Sequence, residues 1–305
     1  MCSAGAQAAD RIKVAISSRN LWPALVAEFA EEQGINRALG LEASFIGAAG
    51  GNEPVQALAT KSVEFACSVG IQGVIAAFAK GAPVHIIGSS FTGTSDVFWY
   101  VRADSPIKDV KDIGGKKIGY SRPGSTGHQL ILKLAERYNV KPEPVSSGAF
   151  TATLTQVMSG QIDAGWSSPP FALDAVRKGE ARIVIRGDIL PEMQNQTVRV
   201  CIAHADTLKN NRDLAMRFMK GYKQALDWMY TATDDATRSF AKHAQLSIDD
   251  AKDTIAFYDK KALEPVPIGD FEKTLAEAVE LKFIDHPLSP EAGRALVDLV
   301  YDPRR

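Results

Sequence analysis

The chain has 305 residues, of which 45% are hydrophobic and 23% charged, so it is long enough for about two packed domains and too apolar to be disordered. Its 35 basic and 36 acidic residues give a formal net charge of −1 without a basic stripe, so we expect no nucleic-acid partner. No apolar run approaches the ~20 residues that span a bilayer, and three cysteines are too few for a disulfide framework.

The first nine residues, MCSAGAQAA, are small and almost uncharged. Ala6-Gln7-Ala8 fits the A-x-A pattern that precedes a secretory cleavage site, but the basic and apolar regions of a signal are missing. We interpret residues 1–9 as the remnant of an export signal, which predicts a periplasmic protein. Two alternatives stay open. Cys2 is the lipid-modified first residue of a mature lipoprotein whose lipobox is lost, or the segment is a flexible leader with no targeting function.

The same order of elements occurs twice along the chain. Each half has a short strand, a helix, a second strand, another helix and a third strand, with helical spacing of apolar residues between the strands. The corresponding strand segments, offset by about 100 residues, are 13–18 and 117–122, 61–66 and 160–165, and 84–88 and 182–186. Each half is therefore predicted to be an α/β unit with a mainly parallel sheet.

After residue 205 the pattern is helical almost throughout. The predicted helices are 211–229, 247–258, 269–281 and 289–299. Ser247 and Ser289 are typical of helix starts. This tail is too thin for a third globular domain, so we expect it to pack on the first α/β lobe.

Ligands of open α/β sheets bind beyond the carboxyl ends of the strands. The loops there are rich in Ser, Thr, Gly and aromatic residues and poor in Asp, Glu and Lys. That composition favours neutral hydrogen bonding and stacking over acid–base catalysis, so we expect a binding protein and not an enzyme.

The segment 121–128, SRPGSTGH, is the strongest local signal. A strand ends, a Gly-rich turn follows, and a helix begins near Thr126, whose free N–H groups favour an anion. Alternatively, Ser125 or Thr126 merely caps the helix. The segment is not a P-loop, because no Lys follows Gly127. The Gly50-Gly51 turn is a weaker version of the same signal.

Trp22 and Trp166 occupy equivalent strand-end positions in the two halves. Facing aromatic rings there would sandwich a flat group, although hydrophobic packing beside a loop explains each equally well. No His pairs with another His or Cys at metal-ligand spacing, and no dinucleotide motif is present, so we expect neither metal nor cofactor. Cys67 follows an apolar strand and is interpreted as a core residue.

Four segments together resemble the periplasmic substrate-binding proteins of ABC importers, of the nitrate/sulfonate/taurine type with the related thiamine-precursor binders. They are Trp22-Pro23, VEFA at 63–66 before Ser68, SPIKDVKDIGGKKIG at 105–119, and GQIDA at 160–164 before Ser167 and Pro169. The resemblance covers the chain from Arg11 to about Asp302 and does not identify the solute.

The resemblance implies a type II periplasmic-binding fold: two α/β lobes with mixed sheets flanked by helices and a hinge of two crossing strands, 96–102 and 196–203. The first lobe would comprise 10–98 and 200–305, and the second 99–199. Cys67 and Cys201 would then be neighbours, and whether they form a disulfide is left open. The expected partners are a small-molecule solute and an ABC transporter permease, bound by a monomer.

Resemblance and position together suggest a set of ligand-binding residues. They are Ser17, Asn20, Trp22, Gly51, Ser68 and Val69 from the first lobe, with Ser121, Ser125, Thr126, Phe150 and Trp166 from the second. The expected ligand is a small organic anion, a sulfonate or an aromatic or aliphatic carboxylate. Two alternatives remain: a pyrimidine-type thiamine precursor, and a desulfinase-like enzyme that uses Cys67 as its nucleophile.

Overall fold

The computed structural model describes residues 8–48 and 53–304, which form two α/β lobes. The strands are β1 Asp10–Ser17, β2 Leu41–Ala48, β3 Phe65–Gly70, β4 Val84–Thr92, β5 Phe98–Arg102, β6 Lys117–Tyr120, β7 Glu143–Ser146, β8 Gly165–Ser167, β9 Ala181–Arg186 and β10 Thr197–His204.

Helices cover both sheets. They are α1 Val26–Glu32, α2 Ile35–Ala38, α3 Glu53–Ala59, α4 Ile71–Ala79, α5 Thr126–Tyr138, α6 Phe150–Met158, α7 Leu173–Arg177, α8 Ala205–Asn210, α9 Arg212–Thr231, α10 Thr233–Ala244, α11 Ile248–Ile255, α12 Lys260–Leu263, α13 Phe271–Glu280 and α14 Pro290–Leu296. Short 3-10 helices occur at Trp22–Ala24, Val110–Ile113, Gly187–Ile189 and Pro191–Met193.

The first lobe is built on a five-stranded sheet of order β2-β1-β3-β10-β4. β1 is parallel to β2 and β3, whereas β10 is antiparallel to β3 and β4. β3 and β10 are buried along their whole length, because helices cover both faces of the sheet. These two strands accordingly carry nearly continuous apolar sequences.

The second lobe repeats this arrangement. The pairs β8-β5-β9 and β6-β7 are joined by a parallel bridge between Ile118 and Ala164, which gives the order β7-β6-β8-β5-β9. β5 runs antiparallel to both of its neighbours, as β10 does in the first lobe. The internal repeat predicted from the sequence is thus present as two sheets of the same strand order, and the predicted fold class is confirmed.

The C-terminal helices pack on the first lobe. α9 lies against α1 and α2, α13 against α4, and α12 and α14 against β4. Apolar side chains on one face of α9, including Phe218 and Tyr222, are buried in the same core as Phe65 of β3. The ring of Phe218 stacks on Phe65 with centroids 4.3 Å apart. The tail therefore completes the first core.

The two lobes touch each other directly. The backbone N–H of Gly73 in α4 donates to the carbonyl of Gly124 before α5 over 3.1 Å. Tyr258 donates from its hydroxyl to the carbonyl of Pro169 over 2.8 Å. At a third point, Arg177 forms an ion pair of 2.7 Å with Asp250. These contacts close the two lobes on each other.

Candidate functional site

Strand ends and loops of both lobes meet around a cleft, called here the inner chamber, with about 470 Å³ not filled by atoms, part of which is open solvent. The first lobe and β10 contribute Ser17, Ser18, Leu21, Ser68, Gly70 and Arg199. The second lobe contributes Ser121, Ser125, Thr126, Gly127, Phe150, Trp166 and Ser168, and Val97 lies on the connection between the lobes. The lining is dominated by hydroxyl groups and aromatic rings.

Three lining residues carry a buried side-chain atom that has no hydrogen-bond partner. They are the hydroxyl oxygen of Ser17, the indole nitrogen Nε1 of Trp166 and Nε of Arg199. Each of these residues is more than nine-tenths buried. Leaving a buried polar group unpaired costs about 1–3 kcal/mol, more for a charged group. All three groups can donate a hydrogen bond, so an acceptor in the chamber would satisfy them.

Arg199 brings the guanidinium into the chamber from the middle of β10. Its Nη2 donates to Oδ1 of Asp96 over 2.5 Å, and Asp96 is fully buried. The guanidinium carbon lies 4.3 Å from the ring centroid of Phe91, so the cation also rests on an aromatic face. Asp96 balances the charge of Arg199, so the pair offers a hydrogen-bond donor without a large excess of positive charge.

The amino end of α5 faces the same space. Ser125 caps this helix by accepting a hydrogen bond from the backbone N–H of His128 over 3.2 Å. The Thr126 hydroxyl donates to the carbonyl of Val198 in β10 over 3.4 Å. Ser125 is therefore the N-cap of α5, as one of the two sequence interpretations expected. Because its hydroxyl oxygen is used in the cap, an anion at this helix end would contact the other backbone N–H groups of the first turn and the positive end of the helix dipole.

Left-handed backbone conformations also concentrate here. Ser18, Asn20 and Ser68 have φ values of 56°, 70° and 57°, a region that residues other than glycine rarely adopt. Each such residue costs of order 1–3 kcal/mol, and such residues cluster at ligand-binding sites. The strained positions at the ends of β1 and β3 therefore mark the same loops as the unpaired polar groups.

A second space, the outer chamber, adjoins the first and comprises about 730 Å³ not filled by atoms, part of which is open solvent. Ser18, Phe150 and Trp166 line both chambers. The remaining lining residues of the outer chamber are Arg19, Asn20, Gly47, Ala48, Ala149, Thr151 and Phe171. The two spaces therefore adjoin at these three residues, and the inner one has more hydroxyl side chains in its lining.

Most of the predicted ligand-binding residues come together at these chambers. Ser17, Ser68, Ser121, Ser125, Thr126, Phe150 and Trp166 line the inner chamber, and Asn20 lines the outer one. Gly51 lies outside the described residues.

Two predicted residues lie elsewhere. Trp22 is fully buried in the core of the first lobe, with its ring 5.3 Å from that of Phe240, and its Nε1 donates to the hydroxyl of Tyr230 over 3.1 Å. Pro23 follows it in a 3-10 helix, which turns the indole inward. The predicted sandwich of Trp22 and Trp166 is therefore wrong. Val69 is also buried, packed in a core cluster with Val200, so its side chain does not line the chambers.

Arg199 was missed because it lies within a strand and not in a strand-end loop. The sequence signal was a single charge inside the apolar run TVRVCIAH. Val97 also falls outside the predicted loops. The other unpredicted residues that line the inner chamber lie within two positions of a predicted one; they are Ser18, Leu21, Gly70, Gly127 and Ser168.

Cys67 and Cys201 form a disulfide that links β3 to β10. Both residues are buried, and neither lines the inner chamber. The pairing left open by the sequence is therefore present, and Cys67 is not a free thiol in this structure. A nucleophilic role for Cys67 would need a thiolate.

In residues 8–48 and 53–304, no group of three or more acidic, His or Cys side chains has an arrangement suited to a metal ion. Within the same range, no helix combines the length and apolarity needed to cross a membrane.

His128 stacks on Tyr120 with ring centroids 4.4 Å apart, and burial lowers the pKa of its imidazole.

The fold is shared with several solved structures of low sequence identity. The aliphatic sulphonate-binding protein SsuA of Escherichia coli has a TM-score of 0.73 at 18% identity, covering 92% of this chain and 91% of that one. The alkanesulfonate-binding SsuA of Xanthomonas axonopodis pv. citri, bound to MOPS, has a TM-score of 0.80 at 16% identity, covering 96% and 100%. The desulfurization enzyme DSZB has a TM-score of 0.65 at 16% identity, covering 93% and 96%.

No curated protein matches the sequence. The family model described as NMT1/THI5 like matches residues 25–236. Since that match spans more than half of the chain and the two lobes have the periplasmic-binding fold, this protein belongs to the NMT1/THI5-like family.

Proposed function

We propose that the protein is an extracytoplasmic solute-binding protein that captures a small organic anion between its lobes and delivers it to an ABC importer. The observation that carries this proposal is the set of buried donors without partners, on Ser17, Trp166 and Arg199, around one chamber. A carboxylate or sulfonate oxygen accepts hydrogen bonds from all three donor types, and bonds to an ionised acceptor are roughly twice as strong as neutral ones.

The site supports a closing mechanism. Ser17 belongs to the first lobe, Trp166 to the second, and Arg199 to the strand that returns from the second lobe to the first. A ligand that binds all three stabilises the arrangement in which the lobes touch, and it shifts the population of lobe positions accordingly. The permease would recognise this closed form, and the protein would act as a monomer.

Two features support binding over catalysis. Within residues 8–48 and 53–304, Arg199 is the only acidic, basic or imidazole side chain that lines the inner chamber, so this lining supplies no carboxylate or imidazole for proton transfer. The sulfur of Cys67 is held in a disulfide, which removes the nucleophile that a desulfinase-like reaction would use. The sulfonate-binding proteins of the same fold favour an organic acid as the ligand.

Isothermal titration calorimetry of the purified protein with sulfonates and carboxylates tests the proposal. We expect one acid per chain to bind and to raise the melting temperature. Mass spectrometry of the recovered acid should show it chemically unchanged after prolonged incubation. If no acid binds, the organic-anion proposal fails, and if the acid is converted, the enzyme alternative replaces it.

A pyrimidine-type thiamine precursor is the second candidate. The aromatic faces of Phe150 and Trp166 beside the chamber suit a flat heterocycle, and Asp96 neutralises Arg199. A neutral aminopyrimidine in the same titration separates the candidates. Binding of the pyrimidine with no binding of any acid would favour this second function.

A further inference from the structure

The outer chamber has an aromatic wall formed by the second lobe alone. Phe150 and Phe171 are stacked with ring centroids 4.4 Å apart and planes 16° apart. Trp166 lies 4.4 Å from Phe150 on a plane tilted by 37°. These three rings are contiguous and extend from the inner chamber, which Phe150 and Trp166 also line, to the outer one.

The first lobe lines the outer chamber with Ser18, Arg19, Asn20, Gly47 and Ala48. Gly47 and Ala48, at the end of β2, are small residues. The contiguous rings of the second lobe are thus the large apolar surface of this chamber, and they are suited to contact with a flat group. Ring pairs in such offset contacts contribute about 0.5–1.5 kcal/mol beyond the burial of their surface.

Among the described residues that line the outer chamber, none is an unpaired cation. Arg19 is the only charged residue of that set, and it donates from Nε and Nη2 to the carboxylate of Glu28 over 2.8 and 2.6 Å. Glu28 is 4% exposed, so this two-point ion pair fixes the guanidinium and neutralises it. A second acidic group on a ligand would therefore meet no free counter-charge in the outer chamber.

We propose, on the basis of the solute-binding function above, that the ligand is an aromatic monoanion. Its carboxylate or sulfonate occupies the inner chamber beside Ser17 and Arg199, and its ring lies against Phe150, Trp166 and Phe171. The head group and the ring are recognised by different residues, so their contributions to affinity are separable.

Calorimetric titration with acids of equal carbon number tests this assignment. Benzenesulfonate should bind roughly 3- to 10-fold more tightly than hexane-1-sulfonate, which corresponds to the energy of one ring–ring contact. Benzene-1,4-disulfonate should bind more weakly than benzenesulfonate, because its second charge would enter the outer chamber. If both monosulfonates bind with equal affinity, or the disulfonate binds best, the aromatic-monoanion assignment is overturned while the anion-binding function stands.

The substitution Phe171→Leu removes one ring at a half-buried position and keeps an apolar side chain. It should cancel most of the preference for benzenesulfonate over hexane-1-sulfonate, because the affinity for the aromatic acid falls more than the affinity for the aliphatic one. Phe78→Leu in α4 is the matched control, because Phe78 is also half-buried and lines neither chamber. An unchanged preference in the Phe171 variant would overturn the role of the aromatic wall. If neither sulfonate nor any other acid binds the unmodified protein, the proposed function itself fails.

Discussion

Arg199 and Asp96 form a buried ion pair at the point where the chain passes between the lobes. Nη2 of Arg199 lies 2.5 Å from Oδ1 of Asp96, while Nε of Arg199 and Oδ2 of Asp96 have no hydrogen-bond partner. Asp96 precedes β5, and Arg199 lies in β10, so the pair joins the two connections of the hinge. The same guanidinium thus serves the hinge and the ligand chamber.

The substitution Arg199→Met should destabilise the protein by about 3–5 kcal/mol, because it leaves the carboxylate of Asp96 buried without its partner. Urea unfolding followed by circular dichroism measures this change. Adding Asp96→Asn removes the buried charge and should restore most of the lost stability. The double variant should still bind benzenesulfonate at least roughly tenfold more weakly than the original protein, since the charged donor is absent. Full affinity in the double variant would mean that Arg199 acts only on stability.

Ser17→Ala should lower the affinity for the ligand without lowering the stability of the protein. The hydroxyl of Ser17 is buried without a partner, so its removal should leave the stability of the ligand-free protein unchanged or slightly higher. The affinity for benzenesulfonate should fall roughly 10- to 100-fold, as expected for a hydrogen bond to a charged group. Melting temperatures and calorimetry measure the two effects on the same samples.

Ser90→Ala is the control for this variant. The hydroxyl of Ser90 is also buried without a partner, but Ser90 does not line the inner chamber. Its removal should affect stability as Ser17→Ala does and leave the affinity unchanged. Equal losses of affinity in both variants would argue against a direct contact between Ser17 and the ligand.

The repeat of α/β elements and much of the site could be predicted because both follow from patterns that the sequence shows directly. The repeated segments at 13–18 and 117–122 became β1 and β6, which hold corresponding positions in the two sheets. Parallel strands of one sheet end at the same edge, and residues near the strand ends of each lobe line the cleft: Ser68 of β3 in the first lobe and Trp166 of β8 in the second.

Side-chain direction could not be predicted in the same way. Trp22 follows β1 as expected, but it begins the 3-10 helix Trp22–Ala24, and its indole is buried against residues more than 200 positions later, such as Tyr230. Arg199 is the opposite case, because it was not predicted as a site residue and yet lines the inner chamber. A charge within a buried strand is stabilised only by long-range partners, here Asp96 and Phe91, which no local pattern indicates. Both outcomes depend on tertiary packing.

The disulfide between Cys67 and Cys201 should contribute about 2–5 kcal/mol to stability, since it closes a loop across a sequence separation of 134 residues. Reduction, or the double substitution Cys67→Ser and Cys201→Ser, should lower the urea midpoint accordingly. Thiol titration in denaturant should detect at most one thiol per chain before reduction and three afterwards. Three thiols without reduction would show that the bridge is absent from the purified protein.

Gly70→Ala should prevent the lobes from closing fully. A Cβ atom at Gly70 would lie 2.6 Å from the carbonyl oxygen of Gly124 and 3.0 Å from Cα of Ser125, both backbone atoms of the opposite lobe. The φ of Gly70 is −61°, so alanine fits its own backbone and the clash arises only between the lobes. Small-angle X-ray scattering should then show no ligand-induced decrease in the radius of gyration, and affinity should fall at least roughly tenfold.

Gly114→Ala is the control for the closure experiment. A Cβ at Gly114 meets no atom within 4 Å, and the φ of Gly114 is −58°. This variant should close and bind like the original protein. Because the clash at Gly70 exists only when the lobes touch, the ligand-free Gly70 variant should keep its fold by circular dichroism while it loses affinity. If it instead closes and binds as tightly as the original protein, ligand capture does not depend on the approach of α4 to the start of α5.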